Sequence, residues 1–396
     1  MFAVLSKIRK SAALLFAALS LLWLAACQPV SLGGGTAASG GPKIDPSAPV
    51  PVALLVPRGS ANASDELLAR SLENAARLAI AELNGVKVDL RVYATAGQAA
   101  QAQSAALQAV SEGAKIILGP VFGEAANAAG VAVAPKGVNV LAFSNNATIA
   151  GGNVFILGPT FDNTANRLAG YARAQGRNRI VVVYSENVEG QLARTAIQSA
   201  IARNGATLAG AVGYSFSQQG VVAAVPQVKA AVAAGQANAV FLTANTAGAL
   251  PLFAQMLPEQ GVSPASTQFI GLARWDIPAQ TLDLPGIQGG WFALPDPGRS
   301  AAFSNRYAAA YGAAPHPIAG LAYDGIAAIG ALVKAGKADA LTGAALTQGA
   351  GFQGATGAFR LRADGTNERA LAVAQVRDRR VVVIDPAPAS FGGAGF

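Results

Sequence analysis

The sequence predicts an α/β fold with two lobes, each built on a mainly parallel β-sheet. Short apolar runs alternate with segments of helical apolar spacing from Val52 onward, which is the pattern of βαβ units. The alternation restarts after Gly158-Pro159, and this restart predicts the second lobe. Of the 396 residues, 52% are hydrophobic but only 7% are aromatic, a composition that suits helices packed closely on sheets.

The first predicted lobe contains four strands and three helices in alternation. The wholly apolar run Val52–Val56 predicts the first strand, and helical spacing predicts a helix over Glu66–Asn84 that stops at Gly85. The elements that follow are a strand Val88–Tyr93, a helix Ala99–Glu112, a strand Lys115–Leu118, a helix Gly123–Ala134 and a strand Val138–Phe143.

The second predicted lobe repeats this alternation. Its elements are a helix from Asn163, a strand Ile180–Tyr184, a helix Gly190–Asn204, a strand Leu208–Tyr214, a helix through Val225–Ala234, a strand Ala239–Leu242 and a helix ending near Met256. The rest of the chain predicts strands Phe269–Gly271 and Gly290–Ala293, helices Ala301–Tyr311 and Ile318–Ala335, and strands Ala358–Leu361, Ala370–Val376 and Val381–Ile384. The turn at Ala363-Asp364-Gly365 predicts a hairpin.

The N-terminal segment predicts an export signal. Basic residues at 7, 9 and 10 precede a short stretch of apolar and small residues, Ser11–Leu24. Leu24-Ala25-Ala26-Cys27 resembles the lipobox of bacterial lipoproteins, which implies removal of residues 1–26 and lipidation of Cys27. Residues 28–49 are rich in Gly, Ser, Ala and Pro and predict a flexible tether. Gln28, rather than aspartate, follows Cys27, which favours the outer membrane.

The residue counts exclude several kinds of site. The chain has one cysteine, Cys27, and one histidine, His316, which excludes an internal disulfide, a thiolate metal site and a histidine zinc site. Prolines on both sides of His316 predict an extended loop rather than a catalytic base. No nucleophile-elbow, phosphate-loop or metalloprotease motif occurs, so the sequence predicts neither an enzyme nor a cofactor. The net charge of +8 is spread thinly, which argues against a nucleic-acid partner.

Four stretches, taken in order, resemble the type 1 periplasmic binding-protein family, whose best-known members are the branched-chain amino-acid receptors of ABC importers. They are VPVALLVPRGS (50–60), IILGPVFGEAANAAGVAV (116–133), VNVLAFSNNAT (138–148) and GFQGATGAFRLRADGTN (351–367). The resemblance implies two doubly wound parallel-sheet lobes that close about a hinge. The implied boundaries are a first lobe over 50–158 completed by about 295–350, a second lobe over 159–294 completed by about 351–386, and a tail over 387–396.

This resemblance also predicts a ligand cleft. In open α/β sheets, ligands bind outside the carboxyl ends of the strands, where the chain here has loops of small and polar residues. The predicted cleft residues of the first lobe are Ser60, Pro120, Phe122, Gly123, Glu124, Ser144, Asn145, Asn146 and Thr148. Those of the second lobe are Glu186 and Thr243.

Three departures separate these loops from those of amino-acid receptors. Gly123-Glu124 stands where such receptors place Ser or Thr, and Val188 stands where they often carry an aromatic residue and glycine. Thr243-Ala244-Asn245 stands where a carboxylate meets the amino group of the ligand. The chemistry that clamps a free amino acid is therefore weakly represented.

A narrower resemblance is carried by FIGLARWDIPAQTLDLPGIQGGWFALPDP (269–297), which is similar to a branch grouped with lipoprotein activators of penicillin-binding proteins. Two interpretations of Trp275 follow. Either Trp275 and Asp276 form an exposed partner contact, since tryptophan is enriched in binding hot spots, or the indole packs inside the fold. Trp291 and Phe292 are expected to pack beneath the lobes.

The sequence therefore predicts a non-catalytic, lipid-anchored binding protein on the periplasmic face of a bacterial membrane, attached through Cys27. The preferred interpretation is a cell-envelope regulator that binds a penicillin-binding protein. The alternative is a receptor that delivers an amino acid or a related small polar solute to an ABC permease.

Overall fold

Two separate sheets, one of five strands and one of seven, organise the chain. The computed structural model describes residues 41–391, so Cys27, the predicted signal and most of the predicted tether lie outside the described residues. All described residues belong to one compact unit, Ala37–Phe396.

The first sheet is entirely parallel, with strand order β2-β1-β3-β4-β5. Strand β1, which pairs with both β2 and β3, is buried along almost its whole length, as its apolar sequence predicts. The strands are β1 Val50–Val56, β2 Val88–Ala94, β3 Ile116–Leu118, β4 Asn139–Ala142 and β5 Val154–Ile156, and the helices between them are α1 Ala63–Ala81, α2 Ala99–Ser111 and α3 Gly123–Val133.

The second sheet has the order β15-β14-β10-β9-β8-β6-β7. Strands β6 to β10 are mutually parallel, and β14 and β15 add an antiparallel edge. The strands are β6 Arg179–Ser185, β7 Thr207–Tyr214, β8 Ala239–Leu242, β9 Gln268–Gly271, β10 Trp291–Leu294, β14 Ala372–Arg377 and β15 Arg380–Asp385. The helices that cover this sheet are α4 Phe161–Ala174, α5 Val188–Arg203, α6 Gln218–Ala234 and α7 Leu250–Glu259.

The remaining elements return to the first sheet. The core of that sheet includes Phe303 and Ile326 from two late helices and Phe352 and Phe359 from a small antiparallel sheet of order β11-β12-β13. These elements are α8 Pro297–Tyr311, α9 Gly320–Lys334, the short α10 Gly343–Leu346, β11 Phe352–Gly354, β12 Gly357–Leu361 and β13 Asn367–Arg369. The chain therefore crosses between the two sheets three times: after β5, after β10 and after β13.

Alanine lines the inner faces of the helices on one side of the first sheet. The buried residues of α2 are all alanine, and those of α3 are Ala125, Ala126, Ala129, Gly130 and Val133. Gly130 approaches β5 so closely that a Cβ there would lie 2.2 Å from a methyl carbon of Val154. The small-residue composition thus lets the helices approach the sheet closely, as expected from the sequence.

A buried ion pair joins the first and third crossings. Arg369 Nη1 lies 2.9 Å from Asp324 Oδ2, and the two side chains are 7% and 1% exposed. Arg369 also donates from Nε and Nη2 to the carbonyl oxygen of Leu157. Asn367 Nδ2 donates to the carbonyl oxygens of Ile156 and Gly158, each at 2.8 Å. Side chains, rather than a strand ladder, therefore hold the two crossings together.

The second carboxylate oxygen of this pair is also satisfied. Asp324 Oδ1 accepts a hydrogen bond of 2.7 Å from the backbone N–H of Ala355, next to β11. Burial raises the pKa of Asp324, and the charge of Arg369 opposes that rise. The pair thus links α9, β13 and the small antiparallel sheet to the end of β5.

Most predicted elements are confirmed, with ends shifted by a few residues. Helix α8 begins at Pro297 rather than Ala301, because Pro297 suits a first turn and the Asp296 side chain accepts from the backbone N–H of Arg299 at 3.0 Å. The sequence did not predict the short elements β5, β11, β13 and α10, each of only three or four residues.

We expect Asp324→Asn to lower the free energy of unfolding by about 3–5 kcal/mol, because it leaves the buried Arg369 charge without a counter-ion. Urea unfolding followed by circular dichroism measures this change. The control is Asp162→Asn, which breaks the exposed pair of Asp162 with Arg203 (52% and 49% exposed) and should cost less than about 1 kcal/mol. Equal losses in the two variants would contradict a central role for the buried pair.

Candidate functional site

The carboxyl ends of both parallel sheets lie on the side where the chain crosses between them. Strand β5 ends at Ile156, and the chain then enters α4, which runs back to the start of β6. Strand β10 likewise ends at Leu294 before the chain enters α8 of the first sheet. The loops that follow the strands therefore form two sets near the crossings. We call them the first rim (residues 57–62, 119–124 and 143–148) and the second rim (residues 185–187, 214–217 and 243–249).

The first rim brings Gly123, Ser144, Asn146 and Thr148 together. Buried Ser144 accepts a hydrogen bond of 3.1 Å at Oγ from the backbone N–H of Asn146. Asn146 Oδ1 in turn accepts from the N–H and the hydroxyl of Thr148, at 3.0 and 2.8 Å. A Cβ on Gly123 would lie 3.2 Å from Asn146 Nδ2 and 3.6 Å from Ser144 Oγ. The start of α3 and the loop after β4 thus form one polar surface.

Helix α3 begins at this surface without a side-chain cap on its first amides. Its N-cap residue is Phe122, whose side chain has no hydrogen-bonding group. The first N–H groups of a helix need an outside partner, so this helix start can accept a polar or anionic group of a ligand. Glu124 and Asn145 are both exposed beside it.

Ser60 and Phe122 border the same surface. Ser60 Oγ donates to Asp65 Oδ2 at 2.7 Å. The Phe122 ring, 40% exposed, stands against the loop after β2, where a Cβ on Gly97 would lie 3.0 Å from it. Pro120, by contrast, is buried beneath the rim, where its carbonyl oxygen accepts from the N–H of Phe143 at 3.0 Å.

The second rim centres on three hydroxyl groups at the ends of adjacent strands β8, β6 and β7. Tyr214 is 3% exposed, and burial raises the pKa of its phenol, while the nearby hydroxyls of Ser185 and Thr243 lower it in part. Ser185 Oγ donates to Asn187 Oδ1 at 2.9 Å. Thr243 Oγ1 is shielded from solvent and has no hydrogen-bond partner among the described residues. It lies beside the Tyr214 phenol, and a ligand that reaches it would supply the missing partner.

Glu186 and Phe216 lie at the outer part of the second rim. Glu186 is exposed, and its Oε2 accepts from Ser215 Oγ at 3.5 Å. Phe216 is 64% exposed and stands against the loop before α7, where a Cβ on Gly248 would lie 3.1 Å from its ring.

Sequence reasoning placed Ser185 in a loop at a strand end but missed Tyr214 and Phe216. Ser185 and Tyr214 are the last residues of β6 and β7, and Phe216 follows two residues later. The strand ends themselves carried the signal, since residues there face the loops at the carboxyl edge of the sheet.

A cavity of about 100 Å³ lies beside the three crossings. Its walls are mostly apolar and include Pro159, Pro295 and Leu371, one from each crossing, together with Pro317 and Ile318. None of the predicted cleft residues lines it. The cavity leaves space at the crossing segments themselves, which are the parts that must bend if the two sheets move.

Trp275 is inside the fold, so the interpretation of an exposed tryptophan contact is wrong. Its side chain is 0% exposed and packs against Phe292, with ring centres 6.3 Å apart. The indole occupies the space above two glycines, because a Cβ on Gly271 or Gly290 would lie 2.3 or 2.4 Å from its ring atoms. Asp276 pairs with Arg274. Trp291 and Phe292 are buried, as expected.

His316 is partly buried in the loop between α8 and α9. Its backbone N–H donates to Ser71 Oγ at 2.8 Å, while its Nδ1 accepts from the N–H of Ile318 at 3.4 Å. Burial lowers the pKa of this imidazole. Ser71 thus bonds the backbone of His316 rather than its imidazole, and this contact supports the loop.

Within residues 41–391 no group of three or more His, Cys, Asp or Glu side chains is placed to hold a metal ion. In the same residues no helix has the length and apolarity needed to cross a membrane.

The comparisons with known proteins agree with this architecture. A model of the family described as "periplasmic binding protein" matches residues 49–380. No curated protein matches the chain by sequence. Many solved structures share the fold, and three are described below.

All three structures come from bacterial solute-binding proteins. A branched-chain amino-acid ABC transporter protein from Rhodospirillum rubrum is 20% identical, with a TM-score of 0.71, and the match covers 85% of this chain and 100% of that one. A branched-chain amino-acid ligand-binding protein from Burkholderia xenovorans is 19% identical, with a TM-score of 0.64 and coverage of 87% and 97%. A solute-binding protein from Rhodopseudomonas palustris, solved with 3,4-dihydroxybenzoic acid, is 18% identical, with a TM-score of 0.56 and coverage of 86% and 97%.

These likenesses confirm the predicted α/β fold with parallel-sheet lobes of the type 1 periplasmic binding proteins. The family and the neighbours are binding proteins rather than enzymes, and the family is extracytoplasmic. Because the family model spans most of its length, this chain belongs to the periplasmic binding protein family.

Proposed function

We propose that the chain is the solute-binding receptor of an ABC importer and that it takes an amino acid or a related small polar solute. The observation that carries the proposal is the pair of polar rims at the carboxyl ends of the two sheets. Each rim offers groups without a partner: the first amides of α3 on one side and the hydroxyl of Thr243 on the other. Buried polar groups left unpaired cost free energy, and a ligand would relieve that cost.

The neighbours support a transport role. The Rhodospirillum and Burkholderia proteins are described as branched-chain amino-acid ABC transporter proteins, and the Rhodopseudomonas protein binds an aromatic acid. Their ligands share a carboxylate and a partly apolar body. The rims here combine the same two features, because hydroxyls and free amides lie beside Phe122 and Phe216. The permease is the partner that this role requires.

The comparisons favour this alternative over the envelope regulator that the sequence analysis preferred. The regulator interpretation rested on the altered cleft loops and on an exposed contact at Trp275 and Asp276, and the Trp275 side chain is fully buried. The solved structures described above are transporter proteins. The proposed function therefore does not include a penicillin-binding protein partner.

We also propose that Cys27 anchors the protein to the membrane through attached lipid. The support is the lipobox-like sequence Leu24-Ala25-Ala26-Cys27 behind a basic and apolar segment. An anchor of this kind keeps the receptor in the compartment from which its permease collects solute. The tether of residues 28–49 would give it freedom to reach that partner.

In a thermal-shift screen of amino acids and small carboxylic acids, we expect at least one solute to raise the melting temperature. A ligand present at about 100 times its dissociation constant adds about 2.7 kcal/mol to the free energy of unfolding, which is enough to see. Titration calorimetry should then show one site per chain. A screen without any stabilising amino acid, aromatic acid or other small polar solute would contradict the proposed function.

Removing single hydroxyl groups from the second rim should weaken binding of that solute. We expect Tyr214→Phe and Thr243→Val each to raise the dissociation constant by about tenfold, the effect of one lost hydrogen bond in a shielded site. Titration calorimetry measures both. The control is Thr207→Val at the opposite, exposed end of β7, which should leave the constant unchanged. If Tyr214→Phe and Thr243→Val bind like the control, this rim does not form the site.

A further inference from the structure

One end of the second sheet carries most of the arginines that have no carboxylate partner within residues 41–391. At the end where β6–β10 begin, the connecting segments (residues 173–179, 203–207, 234–239, 259–268, 282–291 and 377–380) hold seven arginines and three carboxylates, Glu259, Asp283 and Asp378. The arginines are Arg173, Arg177, Arg179, Arg203, Arg377, Arg379 and Arg380. We call this surface the basic end. The turn between β14 and β15 belongs to it, because β14 runs antiparallel to β10 and Gln375 pairs with Trp291 at the start of β10.

Six of the seven arginines have no carboxylate partner within 4.0 Å in the described residues, and Arg203 pairs with Asp162. Ten of the nineteen arginines in residues 41–391 form an ion pair, which leaves nine unpaired. The basic end thus holds two thirds of the unpaired arginines. The corresponding end of the first sheet is more balanced, with six lysines and four carboxylates over residues 43–50, 82–88, 111–116, 134–139 and 334–339.

Local structure explains only part of this accumulation. Arg173 and Arg203 lie in the last turns of α4 and α5, where a cation favours the helix dipole. Arg179 donates to the carbonyl oxygen of Gly235 at the end of α6. Arg377, Arg379 and Arg380 lie on a hairpin turn, where no helix dipole accounts for them.

The charges and backbone angles of this hairpin turn are unfavourable for the stability of the fold. Arg377 stands directly opposite Arg380 in the antiparallel ladder, and like charges at such positions repel. Asp378 and Arg379 at the turn have φ of 51° and 59°, a left-handed conformation that non-glycine residues rarely adopt. All four residues are exposed. A charge arrangement that works against its own hairpin points to a use outside the fold.

We propose that the basic end docks on the surface of an anionic phospholipid bilayer. Its two flanks, the hairpin on β14 and the start of β6, are separated by four strand spacings, or about 19 Å. A small anion can contact only one flank, whereas a charged plane contacts both. Arginine is the cation best suited to phosphate, because its guanidinium group donates in a fork. Extracytoplasmic proteins meet such phosphates in lipid headgroups.

Vesicle co-sedimentation of the unit Ala37–Phe396 tests this surface without the predicted anchor. The two probes are vesicles of phosphatidylcholine alone and vesicles that also contain phosphatidylglycerol. We expect binding only to the second kind, and we expect it to disappear in high salt, where the screening length falls from about 10 Å at 0.1 M to about 3 Å at 1 M. Absence of binding to the anionic vesicles, or equal binding to both kinds, would overturn the proposal.

Matched variants locate the contact. The combined change Arg377→Gln, Arg379→Gln and Arg380→Gln should weaken vesicle binding roughly 100-fold, since each arginine near an anionic surface contributes about fivefold. Arg173→Gln with Arg177→Gln on the other flank should weaken it roughly 25-fold. The control is Lys115→Gln, Lys136→Gln and Lys337→Gln at the first sheet, which removes the same charge as the hairpin variant. If this control loses as much binding as the hairpin variant, net charge alone is responsible and the proposal fails.

Discussion

The contact on which the architecture most depends is the bond between Arg369, Asp324 and the carbonyl oxygen of Leu157. It lies where the chain leaves the first sheet and where it later returns to the second. Two sheets that share a chain but no ladder need some other attachment at their junction. Here a guanidinium group bonds one crossing to another and to α9. The attachment is strong because it is buried and hydrogen-bonded, and it is narrow because it depends on a few side chains, chiefly Arg369, Asp324 and Asn367.

This attachment determines how freely the two rims can move relative to each other. The crossings are fastened by side chains and bordered by an apolar cavity, so the backbone there is not stiffened by a continuous sheet. Hinge closure in binding proteins requires a few residues to change conformation while the packed parts remain rigid. The polar loops at the strand ends are held to their own sheets by internal hydrogen bonds. If the protein is the proposed receptor, each rim would move with its sheet and reach the ligand already shaped.

The sequence predicted the long elements well because their physical signals are strong. Val52–Val56 is wholly apolar and Ala99–Glu112 has a clear helical period, and both lie where expected. The sequence did not predict strand β5, because its three residues are too few to show a hydrophobic pattern. They form a strand by pairing with β4. In the site, the first-rim loops were predicted from the strand-end rule. Tyr214 and Thr243 meet only through the order of strands in the sheet, which the sequence does not display. The burial of Trp275 likewise depends on two glycines nearly twenty residues apart.

Those two glycines, Gly271 and Gly290, share one space with the Trp275 indole. None of the three positions can change alone: a larger residue at either glycine collides with the ring, and a smaller residue at 275 leaves a void in the core. Substitutions at these three positions are therefore expected to occur together. We expect homologous chains either to keep glycine, tryptophan and glycine together or to replace all three together. The number of residues between them would be free to vary.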